Sequence, residues 1–232
     1  FRAPDDLAER HGLSSGALDA RLEELRTKVG EARAGRVRPH RDDKVLTSWN
    51  GLALSAMARG YQVLRDERYR ESALACAEFL GRELFKDGIL LRTWRKGQAH
   101  TPGFLEDHAA VALGLVDLHE TTFEARWLAW AEQLVDAMRE RFEDKAQGGF
   151  HATGEEQRDL LVRQKPVFDH SLPSANALAV QALLRVGHHR DRDDLLVCAE
   201  KALTCFAPVM EKSPRSCLGL LEGLDLALHG PL

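Results

Sequence analysis

Apolar residues along the chain fall into long, nearly uncharged runs that alternate with helices having one apolar face. The uncharged runs start near residues 48, 105 and 172, and amphipathic helices start near 67, 124 and 191. A run that is apolar on nearly every side is typical of a buried helix, whereas an amphipathic helix covers a core from outside. The pattern therefore predicts helical hairpins, each with an inner and an outer member.

The hairpins recur at a nearly constant spacing. Successive inner helices are separated by 57 and 67 residues, and successive outer helices by the same two steps. The longer step coincides with a predicted β-hairpin over residues 148–163, and a further apolar helix over 217–228 adds a fourth inner member. Such a repeat predicts an all-α fold, either an open solenoid or a closed double ring of helices.

Local signals predict further element boundaries. Ser14 or Ser15 caps a long charged helix ahead of the repeats, and residues 89–94 form a strand after a Lys-Asp-Gly turn. Ser48 is predicted to cap the first inner helix, and Pro173 is predicted to lie in the first turn of the third.

The composition is that of an ordinary globular protein. The chain has 232 residues, 44% hydrophobic content and a net charge of −4, so no nucleic-acid partner is expected. No apolar run reaches the roughly 18 residues of a membrane-spanning helix, so no membrane partner is expected either. The four cysteines include no Cys-x-x-Cys pair and indicate a reducing, cytoplasmic location. The chain begins with Phe and reads like the middle of a longer protein, so a fragment is expected.

Polar clusters precede three of the inner helices. In a ring of hairpins the N-terminal ends of the inner helices gather at one mouth, where N–H groups and partial positive charge favour carboxylates and polar ligands. Each cluster by itself is also explained by helix capping, because acids, Ser and Asn are the residue types that cap a helix start. The clusters contain Asp42, Asp43, Lys44, Trp49 and Asn50, then Glu106, Asp107 and His108, then Asp169, His170, Ser174 and Asn176.

Three carboxylates at one mouth would suit sugar chemistry. A pair of carboxylates about 5 to 9.5 Å apart provides the acid and the nucleophile or base of glycoside cleavage. A tryptophan ring offers a platform for a sugar, and a histidine can move a proton beside a carbonyl in epimerisation. A histidine beside an aspartate at a helix start is otherwise structural. No cofactor and no metal are predicted, since His119-Glu120 lacks the second histidine of a zinc motif.

Four motifs resemble those of the YyaL-like family, which includes the spermatogenesis-associated thioredoxin-fused proteins. They are RPHRDDKVLTSWNGLALSAMARG, LEDHAAVALGLVDLHETT, GGFHAT and KPVFDHSLPSANALAVQALLRVG, in this order. The resemblance implies part of a six-hairpin (α/α)6 toroid, similar to those of N-acylglucosamine 2-epimerases and six-hairpin glycosidases. It runs from about Ala3 to the end of the chain, without the family's thioredoxin-like domain.

The resemblance also marks candidate site residues. His108 stands where the family usually has Tyr, and His170-Ser171 replaces a usual Gly-Ala, so neither histidine is assigned a family catalytic role. The predicted catalytic carboxylates are Asp43, Asp107 and Asp169. The predicted substrate-binding residues are Asp42, Lys44, Trp49, Asn50, His108, Lys165, His170, Ser174 and Asn176.

Two hypotheses of function follow. The first is a carbohydrate-active protein, glycoside hydrolase-like or sugar epimerase-like, that takes a small sugar-like ligand. The second is a non-catalytic helical scaffold or sugar-binding module whose acids serve as helix caps only. In both, residues 1–232 form a single domain. A partial toroid would leave apolar flanks exposed, which predicts association with a second copy or with the rest of the toroid.

Overall fold

The computed structural model describes residues 4–157 and 160–230 of a mainly helical chain. It separates into two compact units, residues 1–43 and residues 44–232. The prediction of a single domain over the whole chain stays a prediction. No helix in the described ranges is long and apolar enough to cross a membrane.

The first unit contains two helices and an extended segment. Helix α1 spans Pro4–Arg10 and helix α2 spans Ser15–Ala34. The hydroxyl of Ser14 accepts the backbone N–H of Ala17 at 3.3 Å, which confirms the predicted cap. Residues 37–43 have no regular secondary structure.

The second unit contains the predicted hairpins. The inner helices are α3 (Thr47–Leu64), α5 (Leu105–Thr122), α7 (Ala175–Arg190) and α9 (Leu218–His229), and the outer helices are α4 (Glu67–Phe79), α6 (Ala125–Arg141) and α8 (Asp193–Lys212). A π-helical turn, Leu80–Leu84, extends α4, and a 3-10 turn, Pro214–Ser216, precedes α9. The helical repeat read from the sequence is confirmed.

Helix α5 lies at the centre of the second unit. It packs against α3 on one side, α7 on the other, and the outer helix α6. Residues 107–118 are all buried, as predicted for an inner helix that is apolar on nearly every side. Burial of each leucine or valine side chain there contributes about 1.5–3 kcal/mol relative to exposure.

Helix α3, by contrast, is not buried on every side, and that expectation was wrong. Leu54 and Ala58 are fully buried, but Trp49 and Val63 on another face are 60% and 80% exposed. Among the described inner helices, α3 packs against α5 alone. An apolar sequence shows which side chains can be buried, but it does not supply the neighbour that buries them. Association through this face stays a prediction.

Two helix starts differ from the predicted ones. Helix α3 begins at Thr47, so Ser48 lies inside the helix rather than at its cap. Helix α7 begins after Ser174, whose hydroxyl accepts the N–H of Ala177 at 3.1 Å, so Pro173 precedes the helix. At each start an aspartate accepts a backbone N–H: Asp107 accepts that of Ser48, and Asp169 accepts that of Ser174.

A small antiparallel sheet links the starts of α3 and α5. Strand β3 (Ile89–Arg95) pairs with β1 (Val45–Leu46), β2 (Phe85–Lys86) and β4 (Gln98–Pro102). Because β1 runs directly into α3 and β4 leads into α5, the sheet fixes both helix starts. The predicted strand is confirmed.

The predicted β-hairpin over residues 148–163 was wrong. Within its described residues, the only pairing of this kind is an isolated bridge between Phe150 and Glu143. The backbone groups are satisfied in other ways: Asn176 binds both the N–H and the C=O of Phe150, and the N–H of Ala152 donates to Gln164.

Candidate functional site

The N-terminal ends of α3 and α5 are joined by one carboxylate. Oδ1 of Asp107 accepts the backbone N–H of Ser48, in α3, at 3.0 Å. Oδ2 accepts the N–H of Phe104 at 2.9 Å and pairs with Arg92, in β3, at 2.8 Å. The Asp107 side chain is fully buried. This aspartate therefore connects two inner helices and the sheet.

Asp169 makes the equivalent connection between α7 and α9. Oδ1 accepts the N–H of Ser174 at 2.8 Å, and Oδ2 accepts the N–H of Gly219 at 2.8 Å. Ser48 and Gly219 are each the second residue of their helix, so both aspartates bind the same position of a neighbouring inner helix. The partial positive charge of a helix start stabilises a carboxylate there. The N-terminal ends of the inner helices are thus joined in two pairs, and we name these helix starts the inner-helix mouth.

The hydrogen bonds bear directly on the predicted chemistry. All four carboxylate oxygens of Asp107 and Asp169 accept protein donors, so proton transfer to a ligand would require one of these bonds to be released. Burial raises the pKa of Asp107, while the charge of Arg92 and the N–H of Phe104 act in the opposite direction. The catalytic roles of the two aspartates stay predictions.

Glu106 is the acid that reaches solvent beside Asp107. Its side chain is 40% exposed and pairs with Arg92 at 2.7 Å. The Arg92 guanidinium also lies over the ring of Phe104, 4.4 Å from the ring centre. The sequence interpretation chose Asp107 as the reactive acid of this pair, whereas the structure exposes its neighbour.

The predicted residues around the start of α3 have different environments. Trp49 is largely exposed, whereas the Nδ2 of Asn50 donates to the carbonyl of Leu46 at 2.8 Å. Lys44 is exposed at the beginning of the second unit. Asp42 and Asp43 are exposed and belong to the first unit, whereas the inner-helix mouth belongs to the second.

The predicted residues before and within α7 are mostly held by the backbone. Oδ1 of Asn176 accepts the N–H of Phe150 at 2.8 Å, and its Nδ2 donates to the carbonyls of Phe150 and Pro166. Lys165 donates to a backbone carbonyl and pairs with Asp144 at 2.7 Å. That bond and two backbone N–H donors lower the pKa of Asp144 to about 2.

Of the predicted binding residues in this region, His170 is the exposed one. Its backbone N–H donates to the carbonyl of Leu172 at 3.0 Å, in the turn before α7. The described hydrogen bonds involve its backbone and leave its ring facing solvent.

His108 is buried in the first turn of α5. Its Nδ1 lies 2.9 Å from the carbonyl of Phe104, and its ring packs edge-on against Phe142. Burial lowers the pKa of His108 from 6.5 to about 4, so the ring is neutral at pH 7. The His108 side chain is therefore a neutral group in the core.

This burial predicts that stability falls as the solution is acidified. The unfolded chain protonates His108 below about pH 6.5, whereas the folded chain does so only near pH 4, so the stabilisation is complete above the first value and lost as the pH falls toward the second. The free energy of unfolding, measured with urea, should fall by about 1 kcal/mol between pH 7 and pH 5.5 because of His108.

The variant His108→Gln should lack that part of the pH dependence, because an amide does not titrate. His229, 69% exposed in its side chain, provides the control: His229→Gln should keep the wild-type slope. A His108→Gln slope equal to that of the wild type would contradict the assignment.

A charged cluster that the sequence interpretation missed lies in the C-terminal halves of α3, α5 and α7. Asp117 accepts hydrogen bonds from the Ser55 hydroxyl and from Nε of Arg59, the latter at 3.1 Å. Arg185 pairs with Asp117 and with Glu120, each at 2.8 Å. We name these five residues the inner-helix charge cluster.

Two features mark this cluster. Arg59, Asp117 and Arg185 are each the one charged residue in the apolar run of their inner helix, which is a signal visible in the sequence. Nε2 of His189 lies 2.8 Å from a carboxylate oxygen of Glu120, which accepts the hydrogen bond. Burial alone would raise the pKa of Glu120, but the His189 hydrogen bond and the charge of Arg185 hold it below its ordinary value.

A metal site is not formed by the residues that the structure describes. Among them no group of three or more His, Cys, Asp or Glu side chains is arranged to hold a metal ion.

Solved structures with a similar fold are sugar enzymes. The cellobiose 2-epimerase of Spirochaeta thermophila has a TM-score of 0.58 and 14% identity, covering 70% of this chain and 43% of that one. An inactive variant of an α-1,6-mannanase from Salegentibacter, in complex with α-1,6-mannotetrose, has a TM-score of 0.57 and 15% identity, covering 88% and 57%. At such identities the similarity shows the (α/α)6 toroid fold alone.

Relatives by sequence give the family. No family model matches the chain. Spermatogenesis-associated protein 20 of Rattus norvegicus is 37% identical over 230 residues, which cover 93% of this chain and 29% of that protein. The chain thus spans under a third of the length of this curated relative. Sequence and fold together show that the chain belongs to the YyaL-like family of spermatogenesis-associated protein 20 and forms part of an (α/α)6 toroid.

Proposed function

We propose that the chain is part of a carbohydrate-active toroid that binds a sugar-like small molecule at the inner-helix mouth, with glycoside hydrolase-like or sugar epimerase-like chemistry. The observation that supports this most is the exposed ring of Trp49. Trp49 directly follows Ser48, whose backbone N–H donates to Asp107. Asp107 in turn pairs with Arg92. An apolar face next to fixed polar groups suits a sugar ring and its hydroxyls.

In this proposal Asp107 and Asp169 are the acid and base pair. Burial raises the pKa of Asp107, which is the direction that a general acid requires. Of the predicted binding residues in the second unit, the exposed Lys44 and His170 would contact the ligand. Five others would shape the site from behind, because they bind backbone groups or are buried: Asn50, His108, Lys165, Ser174 and Asn176. The fold shared with an epimerase and a mannanase supports a sugar as the ligand.

A non-catalytic sugar-binding module is the second candidate. The observation that favours it is the complete use of Asp107 and Asp169 as acceptors for N–H donors at helix starts. In this case the aspartates shape the inner-helix mouth, and Trp49 alone contacts the ring of the ligand.

Trp49→Ala should weaken sugar binding about tenfold, since an aromatic contact contributes on the order of 1 kcal/mol beyond its buried area. Titration calorimetry with cellobiose and α-1,6-mannotetrose would measure the change. Val63→Ala, at the other end of the exposed face of α3, is the matched control and should leave binding unchanged. Equal affinities for the wild type and Trp49→Ala would rule out the ring as the platform.

Turnover separates the two candidates. Chromatography of cellobiose and mannotetrose reactions should show conversion by the wild type and none by Asp107→Asn or Asp169→Asn if the aspartates are the acid and base pair. Binding without conversion by the wild type would favour the module. Circular dichroism must show folded variants, because both aspartates also join helices.

A further inference from the structure

The inner-helix charge cluster is buried at its base and open to solvent on one side. The side chains of Asp117 and Arg185 are 1% and 11% exposed, whereas those of Arg59 and Glu120 are 58% and 34% exposed. The outer helices α4 and α6 pack against α3 and α5. The open side of the cluster is therefore formed by Arg59 and Glu120.

Arg59 is held in a fixed orientation at this open side. Its Nε donates to Asp117, which is itself fixed by the Ser55 hydroxyl and by Arg185. Within the described chain, the hydrogen bonds of Arg59 involve Nε, and no acceptor binds its two terminal nitrogens. The planar guanidinium consequently presents its outer edge to solvent.

Other exposed arginines are held differently. Arg68 pairs with Asp66, and Arg70 pairs with Glu67, in each case an acid within three residues on the surface. Such pairs are mobile and contribute little. Arg59 is anchored by a buried acid of another helix, so its orientation is set by the packing of α3 on α5.

The contacts within the cluster leave the outer edge of the Arg59 guanidinium available to an anion. Asp117 pairs with Arg59 and Arg185, and Glu120 pairs with Arg185 and His189. A guanidinium with two terminal N–H groups on one edge binds a carboxylate or phosphate through two parallel hydrogen bonds. Glu120 and His189 would remain beside the anion to bind hydroxyl groups.

We propose that the inner-helix charge cluster, about 15 Å along α3 from Trp49, is a separate recognition subsite for the anionic group of a sugar ligand, a phosphate or a carboxylate, and that Arg59 binds this group. The identification of the ligand as a sugar rests on the proposed function. Recognition of the anion rests on the cluster alone.

The test is titration calorimetry of the full chain, at low ionic strength, with four probes: glucose 6-phosphate, glucuronate, glucose and inorganic phosphate. Glucose 6-phosphate or glucuronate should bind at least about tenfold more tightly than glucose, because hydrogen bonds between charged groups are stronger than those between neutral groups. Arg59→Gln should abolish this preference. Arg65→Gln, which removes an exposed arginine just after the same helix, should leave it intact.

The outcomes separate the two proposals. Binding of inorganic phosphate that is lost in Arg59→Gln, without binding of any sugar, would support the subsite and contradict a carbohydrate ligand. A preference for glucose 6-phosphate over glucuronate, or the reverse, identifies the anionic group and supports the subsite. Equal affinities for glucose and both anionic sugars, an undiminished preference in a folded Arg59→Gln, or no binding of any anionic probe would overturn it.

Discussion

Replacement of Asp117 by alanine is expected to lower the free energy of unfolding by about 3 kcal/mol, because loss of one member of a buried ion pair leaves the other charge without compensation. Arg185 is only 11% exposed in its side chain and would retain Glu120 as its sole acidic partner. The Ser55 hydroxyl would also lose its acceptor. Urea unfolding followed by circular dichroism measures the change.

Two further variants make this experiment specific. Asp225, 77% exposed in its side chain and paired with His229 in the same helix, is the control, and Asp225→Ala should change stability by no more than about 0.5 kcal/mol. Asp117→Leu combined with Arg185→Met should recover much of the loss, since apolar replacement of both members is often neutral. A loss below about 1 kcal/mol in Asp117→Ala would show that the cluster is well hydrated.

The periodicity of the sequence predicted the helical layers because it depends on residues three or four positions apart. Inner and outer helices therefore start within a few residues of the expected positions. The sequence also shows Arg59, Asp117 and Arg185 as single charged residues in apolar runs. Whether their side chains come into contact depends on the register between α3, α5 and α7. That register is set by packing between helices, which periodicity within one helix does not contain.

The aspartates at the inner-helix mouth show the same limit. An acid before an apolar helix predicts a cap for that helix, and Asp107 does accept the N–H of Phe104. Its second bond reaches Ser48, 59 positions away in the sequence. Asp169 likewise reaches Gly219. Local sequence identified both residues as important, while only the fold shows that they join neighbouring helices.

Gly51→Ala is expected to lower the free energy of unfolding by about 2 kcal/mol, although alanine is the better helix former. A Cβ atom at Gly51 would lie 2.6 Å from backbone atoms of Ala110 and Val111, and one at Gly114 would lie 2.7 Å from the Gly51 carbonyl oxygen. Backbone atoms cannot move aside by side-chain rotation. The overpacking penalty, about 3 kcal/mol, therefore exceeds the gain in helix propensity, about 1 kcal/mol.

Gly60→Ala is the control in the same helix, because a Cβ there meets only the ring of Tyr69 at an ordinary 3.5 Å, and stability should rise by up to about 1 kcal/mol. Gly51→Ala should also weaken sugar binding, since moving α3 away from α5 would lengthen the bond between Ser48 and Asp107 and displace Trp49. Urea unfolding and calorimetry together test this. Equal stabilisation by both substitutions would show that the two helices tolerate separation, and the close crossing at Gly51 would then not be what fixes the inner-helix mouth.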